Sequence, residues 1–149
     1  MEQILSKAGI PHQGIQINAL EGEFPQDYER DQIFKTLALL GDKTGPIIGI
    51  VPITQHLSEK KLAKISGNKK VSMISQKDLE KTTGYIHGAN NPVGIRQKHN
   101  YPIFIDKIAL DLDQMIVSAG EVGQSIIVAP QDLASFVKAD FADILEDSK

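Results

Sequence analysis

The sequence predicts a mixed α+β fold built on a largely antiparallel sheet. Three observations carry that reading. Six or so short stretches have the composition and alternation of strands. Several neighbouring pairs are separated by tight glycine-containing turns, as hairpins are. The helical stretches between them are short and scattered, whereas a doubly wound α/β fold alternates strand and helix regularly.

Taken in order, residues 2–8 read as a short helix ended by Gly9, and residues 14–18 (GIQIN) as a strand. Residues 19–24 read as loop, and Pro25 opens a short helix with early acids. Residues 33–40 (IFKTLALL), the turn GDKTG and residues 47–53 read as a β-hairpin. Its first arm puts Phe34, Thr36, Ala38 and Leu40 on one face and Lys35, Leu37 and Leu39 on the other. Ser58 caps a helix that Gly67 closes, with Leu57, Leu62, Ala63 and Ile65 inward. Residues 70–74 make a strand, and Ser75-x-x-Asp78 resembles a capping box for a helix over 75–82 stopped at Gly84. Residues 82–94 (TTGYIHGANNPVG) read as an irregular glycine loop, and 96–100 as a polar, basic connection. Residues 101–106 form a strand, with Pro102 at an edge or at its start. Residues 114–119 and 125–128 form a hairpin, 130–137 a helix and 139–145 a further helical turn.

Composition narrows the function classes. At 149 residues the chain has the length of one domain that buries a real core. It has no cysteine, so disulfides, thiolate metal sites and a cysteine nucleophile are excluded. No apolar run reaches membrane-spanning length and the N-terminus lacks a signal-peptide pattern, so the expected location is the cytoplasm, with no membrane partner. The net charge of −3 argues against a strong non-specific nucleic-acid binder, DNA included. Between Glu59 and Lys81, however, seven lysines face three acids. That run is either a solvated helix face or a docking patch for phosphates, and Lys60, Lys61, Lys64, Lys69 and Lys70 are its candidate contacts.

Two stretches hold candidate chemistry. Lys35 sits among leucines on a strand, where an ammonium is costly unless it is paired, used, or snorkels to water. The glycine loop is either a plain surface turn or a nest of backbone N–H groups for a negative oxygen. His87 lies in that loop as a base, a substrate contact or an ordinary histidine, and Ser118 ends a strand where its hydroxyl reaches either a ligand or its own backbone. The four histidines have no metal-ligand spacing, and no cofactor motif is present. Such a set binds and polarises a carbonyl and leaves the attack to water or to a group of the substrate.

The stretches FKTL (34–37), 51–73, TTGYIHGANNPVG (82–94), YPIFID (101–106), IVSAGEVG (116–123) and DFADI (140–144) occur in an order that resembles the YbaK/EbsC family of aminoacyl-tRNA deacylases, related to the editing domain inserted in bacterial prolyl-tRNA synthetases. The resemblance implies one editing domain over residues 1–149, with a partly closed sheet and flanking helices. It implies a hydrolase that clears a wrong amino acid from the acceptor end of tRNA. Lys35 matches the family lysine that holds the 3′-terminal phosphate or adenosine. Gly88 opens the G-x-x-x-P loop, whose backbone N–H groups receive the ester oxygen. Phe34, His87, Ala89, Asn90, Asn91, Pro92, Ser118 and Gly120 are the implied substrate contacts. The implied substrate is Cys-tRNA(Pro), with Ala-tRNA(Pro) as the alternative, and prolyl-tRNA synthetase is a candidate partner. His87, Ala89 and Ser125 depart from common family residues, and wall changes of that size discriminate by only about 1–3 kcal/mol. A reading from another class keeps the pocket as a non-catalytic aminoacyl-tRNA or nucleotide-binding module.

Overall fold

The computed structural model describes residues 9–16, 32–85, 90–118 and 124–146. The expected helices over 2–8 and after Pro25 lie outside those residues. The described chain forms eight strands: β1 (His12–Gln16), β2 (Phe34–Gly41), β3 (Gly45–Pro52), β4 (Val71–Met73), β5 (Ile103–Asp106), β6 (Met115–Ser118), β7 (Gln124–Val128) and β8 (Asp140–Ala142). Four α-helices accompany them: α1 (Glu59–Ser66), α2 (Gln76–Thr83), α3 (Pro92–Lys98) and α4 (Pro130–Val137).

The strands make two sheets, ordered β4-β2-β3-β5-β8 and β1-β7-β6. Four pairings are antiparallel, while β3–β5 and β5–β8 are parallel. Among the described residues neither sheet closes on itself, which replaces the expected partial closure. A single parallel bridge, Ile33 to Ile116, ties one sheet to the other.

The run GPIIGIVP is apolar on both faces because β3 lies in the middle of the larger sheet and is covered on both. Ile48 and Ile50 enter a core shared with Phe34, Val93, Ile95, Met115, Ile126 and Leu133, so α3, α4 and the smaller sheet cover that side. Ile47 and Val51 enter a second core with Leu39, Leu62, Phe104 and Ile144, so α1 and the C-terminal segment cover the other. Gly49 is required on this second side, since a Cβ there would collide with the Leu57 side chain.

Several elements differ from expectation. β1 begins two residues earlier, because its register with β7 begins at His12 opposite Val128. Ile65 is 52% exposed, since it lies about 160° around α1 from the buried Ala63. Leu40 is also half exposed, where β2 outruns its cover. The Ser75 side chain does not cap α2; its hydroxyl donates to the Asp78 carboxylate at 3.1 Å. Residues 92–98 are a helix rather than loop and connection. Asn91 caps it, accepting from the Gly94 N–H at 3.1 Å, and Pro92 stands in its first turn. Pro102 precedes an interior strand, and its carbonyl accepts from the Ile48 N–H. Residues 139–145 are not helical. Lys138 ends α4 in the left-handed conformation, and β8 then supplies β5 with a parallel neighbour. The buried Asp106 carboxylate fixes that segment, accepting from the N–H groups of Ile108 and Ile144 at 2.9 Å each.

Candidate functional site

Lys35 is the second residue of β2, opposite Val51. Strand alternation sends its neighbours Phe34 and Thr36 into the first core, so Lys35 points the other way and is half-buried. Among the described residues no hydrogen bond or ion pair reaches its ammonium group. Burial therefore shifts its pKa below the ordinary lysine value, through loss of hydration of the charged form. A half-dry ammonium without a carboxylate partner is a receptor for an anionic or carbonyl oxygen.

The parallel bridge from Ile33 to Ile116 sets β6 beside the start of β2. Lys35 and Ser118 each lie two residues beyond that bridge along their strands, and Ser118 is half-buried.

A third segment is pinned to the same place. The Asn90 Nδ2 donates to the Thr36 carbonyl at 3.0 Å, one residue from Lys35. Its Oδ1 accepts from the Thr83 hydroxyl at 2.9 Å. Thr83 has no exposed surface, and its Oγ1 also accepts from the Tyr85 N–H at 3.1 Å. Both ends of the glycine segment are thus tied to each other, and one end is tied to β2. Beyond them the Tyr85 ring lies against Gly94, where a Cβ would collide with it, and the Lys98 ammonium stands 5.8 Å from that ring's centroid.

Not every expected site residue is free to meet a ligand. Phe34 is 2% exposed and packs in the core. Both amide atoms of Asn90 and the Oδ1 of Asn91 are taken up by internal hydrogen bonds, and Pro92 is buried at the start of α3. His87, Gly88, Ala89 and Gly120 lie outside the described residues. Lys60, Lys64, Lys69 and Lys70 are exposed, whereas Lys61 pairs with Asp143 at 3.3 Å. Arg96, read as part of a basic connection, is committed to the Val137 and Tyr101 carbonyls and to Asn100. Sequence reasoning passed over Thr83 and Thr36. The Thr36 hydroxyl is buried without a partner among the described residues, and its place on the apolar face of an alternating strand was the available signal. No group of three His, Asp or Glu side chains among the described residues is placed to hold a metal ion.

Solved structures set the class. The chain superposes on the protein designated APE2540 with a TM-score of 0.82 at 21% identity, covering 97% of this chain and 98% of that one. It superposes on a candidate trans-editing enzyme for prolyl-tRNA synthetase with a TM-score of 0.78 at 20% identity, covering 91% and 87%. The fold is therefore that of the compact α+β domains to which these proteins belong. Sequence narrows the class to a family. Residues 25–136 match the aminoacyl-tRNA editing domain. The chain is also 46% identical over 116 residues to EbsC of Enterococcus faecalis, a candidate Cys-tRNA(Pro)/Cys-tRNA(Cys) deacylase, covering 78% of this chain and 70% of that one. This chain belongs to the aminoacyl-tRNA editing domain family, and aminoacyl-tRNA is the class of partner that goes with it.

Proposed function

We propose that this protein is a free-standing editing hydrolase that removes cysteine from Cys-tRNA(Pro). The observation that carries the reading is Lys35, a half-buried ammonium on β2 with no partner among the described residues, in a member of an editing family. In this reading the whole chain, residues 1–149, is one editing domain working in the cytoplasm, with prolyl-tRNA synthetase as a partner that delivers the substrate. Lys35 holds the 3′-terminal phosphate or adenosine. Backbone N–H groups near Gly88 receive the ester carbonyl oxygen as it becomes an oxyanion, the kind of stabilisation that dominates acyl-transfer catalysis. Water adds to the carbonyl carbon, the bond from that carbon to the ribose oxygen breaks, and the ribose oxygen takes a proton. For cysteine, the substrate's own thiol is the competing nucleophile.

The test is deacylation of Cys-tRNA(Pro) and Ala-tRNA(Pro) side by side by the wild type and Lys35→Ala. Cysteine release is expected to be faster than alanine release, and Lys35→Ala to slow it by about 100-fold or more, the scale on which removal of one preorganised polar group acts. An unchanged rate in Lys35→Ala would remove the site assignment. Faster alanine release would reassign the substrate. Binding of tRNA without release of either amino acid would leave a binding module.

A further inference from the structure

The tip of the β2–β3 hairpin and the turn between α1 and β4 are locked into one unit. The Asn68 side-chain Oδ1 accepts from the N–H groups of Lys43 and Thr44 at 2.8 and 3.0 Å, and its Nδ2 donates to the hydroxyls of Thr44 and Ser66. Asn68 is buried and its hydrogen-bonding capacity is filled by these contacts. From the other side, Asp42 accepts from the N–H groups of Lys69 and Lys70 at 2.9 and 3.0 Å, while its own N–H donates to the Lys70 carbonyl. The backbones of Lys43, Lys69 and Lys70 are therefore held together at one end of the sheet, and Lys64 lies in the last turn of the adjoining helix. All four lysine side chains are exposed. Asp42 is the one carboxylate within the lock, and its oxygen is occupied by the backbone.

We propose that this end of the sheet is a docking surface for the phosphate backbone of the tRNA acceptor arm, with Lys43, Lys69 and Lys70 as its principal contacts. The inference rests on the reading that the aminoacylated 3′ end sits at Lys35. Lys35 and Gly41 mark opposite ends of β2, about 20 Å apart at 3.2–3.4 Å per residue. An acceptor arm is a single-stranded 3′ end continued by a phosphate-lined duplex. With the terminal residue at Lys35, a contact at this distance meets the backbone of the strand where the single-stranded end runs into the duplex. Phosphate contacts of this kind position a nucleic acid without reading its sequence, and A-form duplexes are bound largely through backbone and shape. The chain as a whole carries a net charge of −3, so a preorganised local excess of positive charge is what offsets general repulsion. Lys43 lies outside the lysine-rich run of the sequence and joins the patch through the Asn68 and Asp42 contacts and the pairing of β2 with β4.

The test compares the wild type with the Lys43→Ala/Lys69→Ala/Lys70→Ala variant on two substrates, full-length mischarged tRNA and an aminoacylated 3′-terminal trinucleotide that lacks the duplex. The ratio of kcat/KM on the long substrate to that on the short one is expected to fall about tenfold or more, through KM. The slope of log kcat/KM against log salt on full-length tRNA is expected to become shallower by about 2–3, near one for each phosphate that a lysine no longer neutralises. An unchanged ratio and slope would overturn the proposal, and so would a defect confined to binding of an acidic protein partner. Failure of the site reading shows separately, as an unimpaired Lys35→Ala enzyme on both substrates. If the wild type hydrolyses neither substrate, equilibrium binding of uncharged tRNA replaces the rate, and the same slope decides.

Discussion

Asn90 shows how much one side chain settles at this site. Its amide joins the Thr36 carbonyl to the Thr83 hydroxyl inside the protein, so it holds the glycine segment against β2 rather than contacting a ligand. Removing either end leaves a buried polar group unpaired, which costs about 1–3 kcal/mol. Asn90→Ala and Thr83→Val are each expected to lower unfolding stability in urea by that amount. The double variant is expected to fall short of their sum by at least about 0.5 kcal/mol, as residues sharing one network do. Strict additivity would show that the two side chains act independently. That Asn90 is a positioning group was not legible in the motif itself. The sequence places an amide in a loop, but which partners it finds depends on β2 arriving from 54 residues away.

At the scale of elements, Asp42 joins Asn68 in holding the hairpin tip to the α1–β4 turn. The N–H of Lys70 first, and that of Lys69 with it, hold the Asp42 carboxyl below its usual range against a smaller opposing effect of burial. A carboxyl with a depressed pKa contributes stability that is complete above its unfolded value, about 3.9, and is lost as pH falls through the lower folded value. The amides of Lys69 and Lys70, followed by NMR from pH 5 to pH 2, are therefore expected to lose protection with a midpoint below about 3.9. A midpoint at or above that value would mean that the carboxylate does not hold the turn. Both flanking elements were legible in advance, because a capping serine, an early acid and a closing glycine are local signals. Helix α3 was missed although Asn91-Pro92 is itself a start signal, since three glycines nearby read more strongly as loop. The C-terminal segment was misread for a different reason. Phe141, Ile144 and Leu145 suit either a helical turn or a strand, and the parallel pairing of β8 with β5 decided between them.

For the whole molecule, the charge on Lys35 sets function against stability. Its half-buried ammonium has no partner among the described residues, and its pKa is pushed down by desolvation. The unfolded chain then binds that proton more tightly than the folded one, so the folded state is handicapped at neutral pH. The handicap is relieved as pH rises through the lowered pKa towards the ordinary value near 10.4. Lys35→Met is expected to be inactive yet more stable than the wild type by about 0.5–1 kcal/mol at pH 7, the usual scale for relieving a functional strain. Its advantage in denaturant titrations is expected to shrink between neutral pH and about pH 10.4. A variant less stable than the wild type at pH 7 would show that the lysine stem packs better than its charge costs.

What the sequence determined by itself was local or periodic. The α+β class, the two hairpins, the caps of α1, the extent of α4 and the peculiarity of a lysine among leucines all follow from residues a few positions apart. The tertiary structure alone decided the rest, because it depends on partners far along the chain. It split the described strands into two sheets, set β6 beside the start of β2 through the Ile33–Ile116 bridge, and turned Asn90 inward. It also brought Lys43 to Lys69 and Lys70. Periodicity states which face of a strand is apolar. Which strand lies beside it is settled by how the molecule buries its surface and satisfies its backbone hydrogen bonds as a whole.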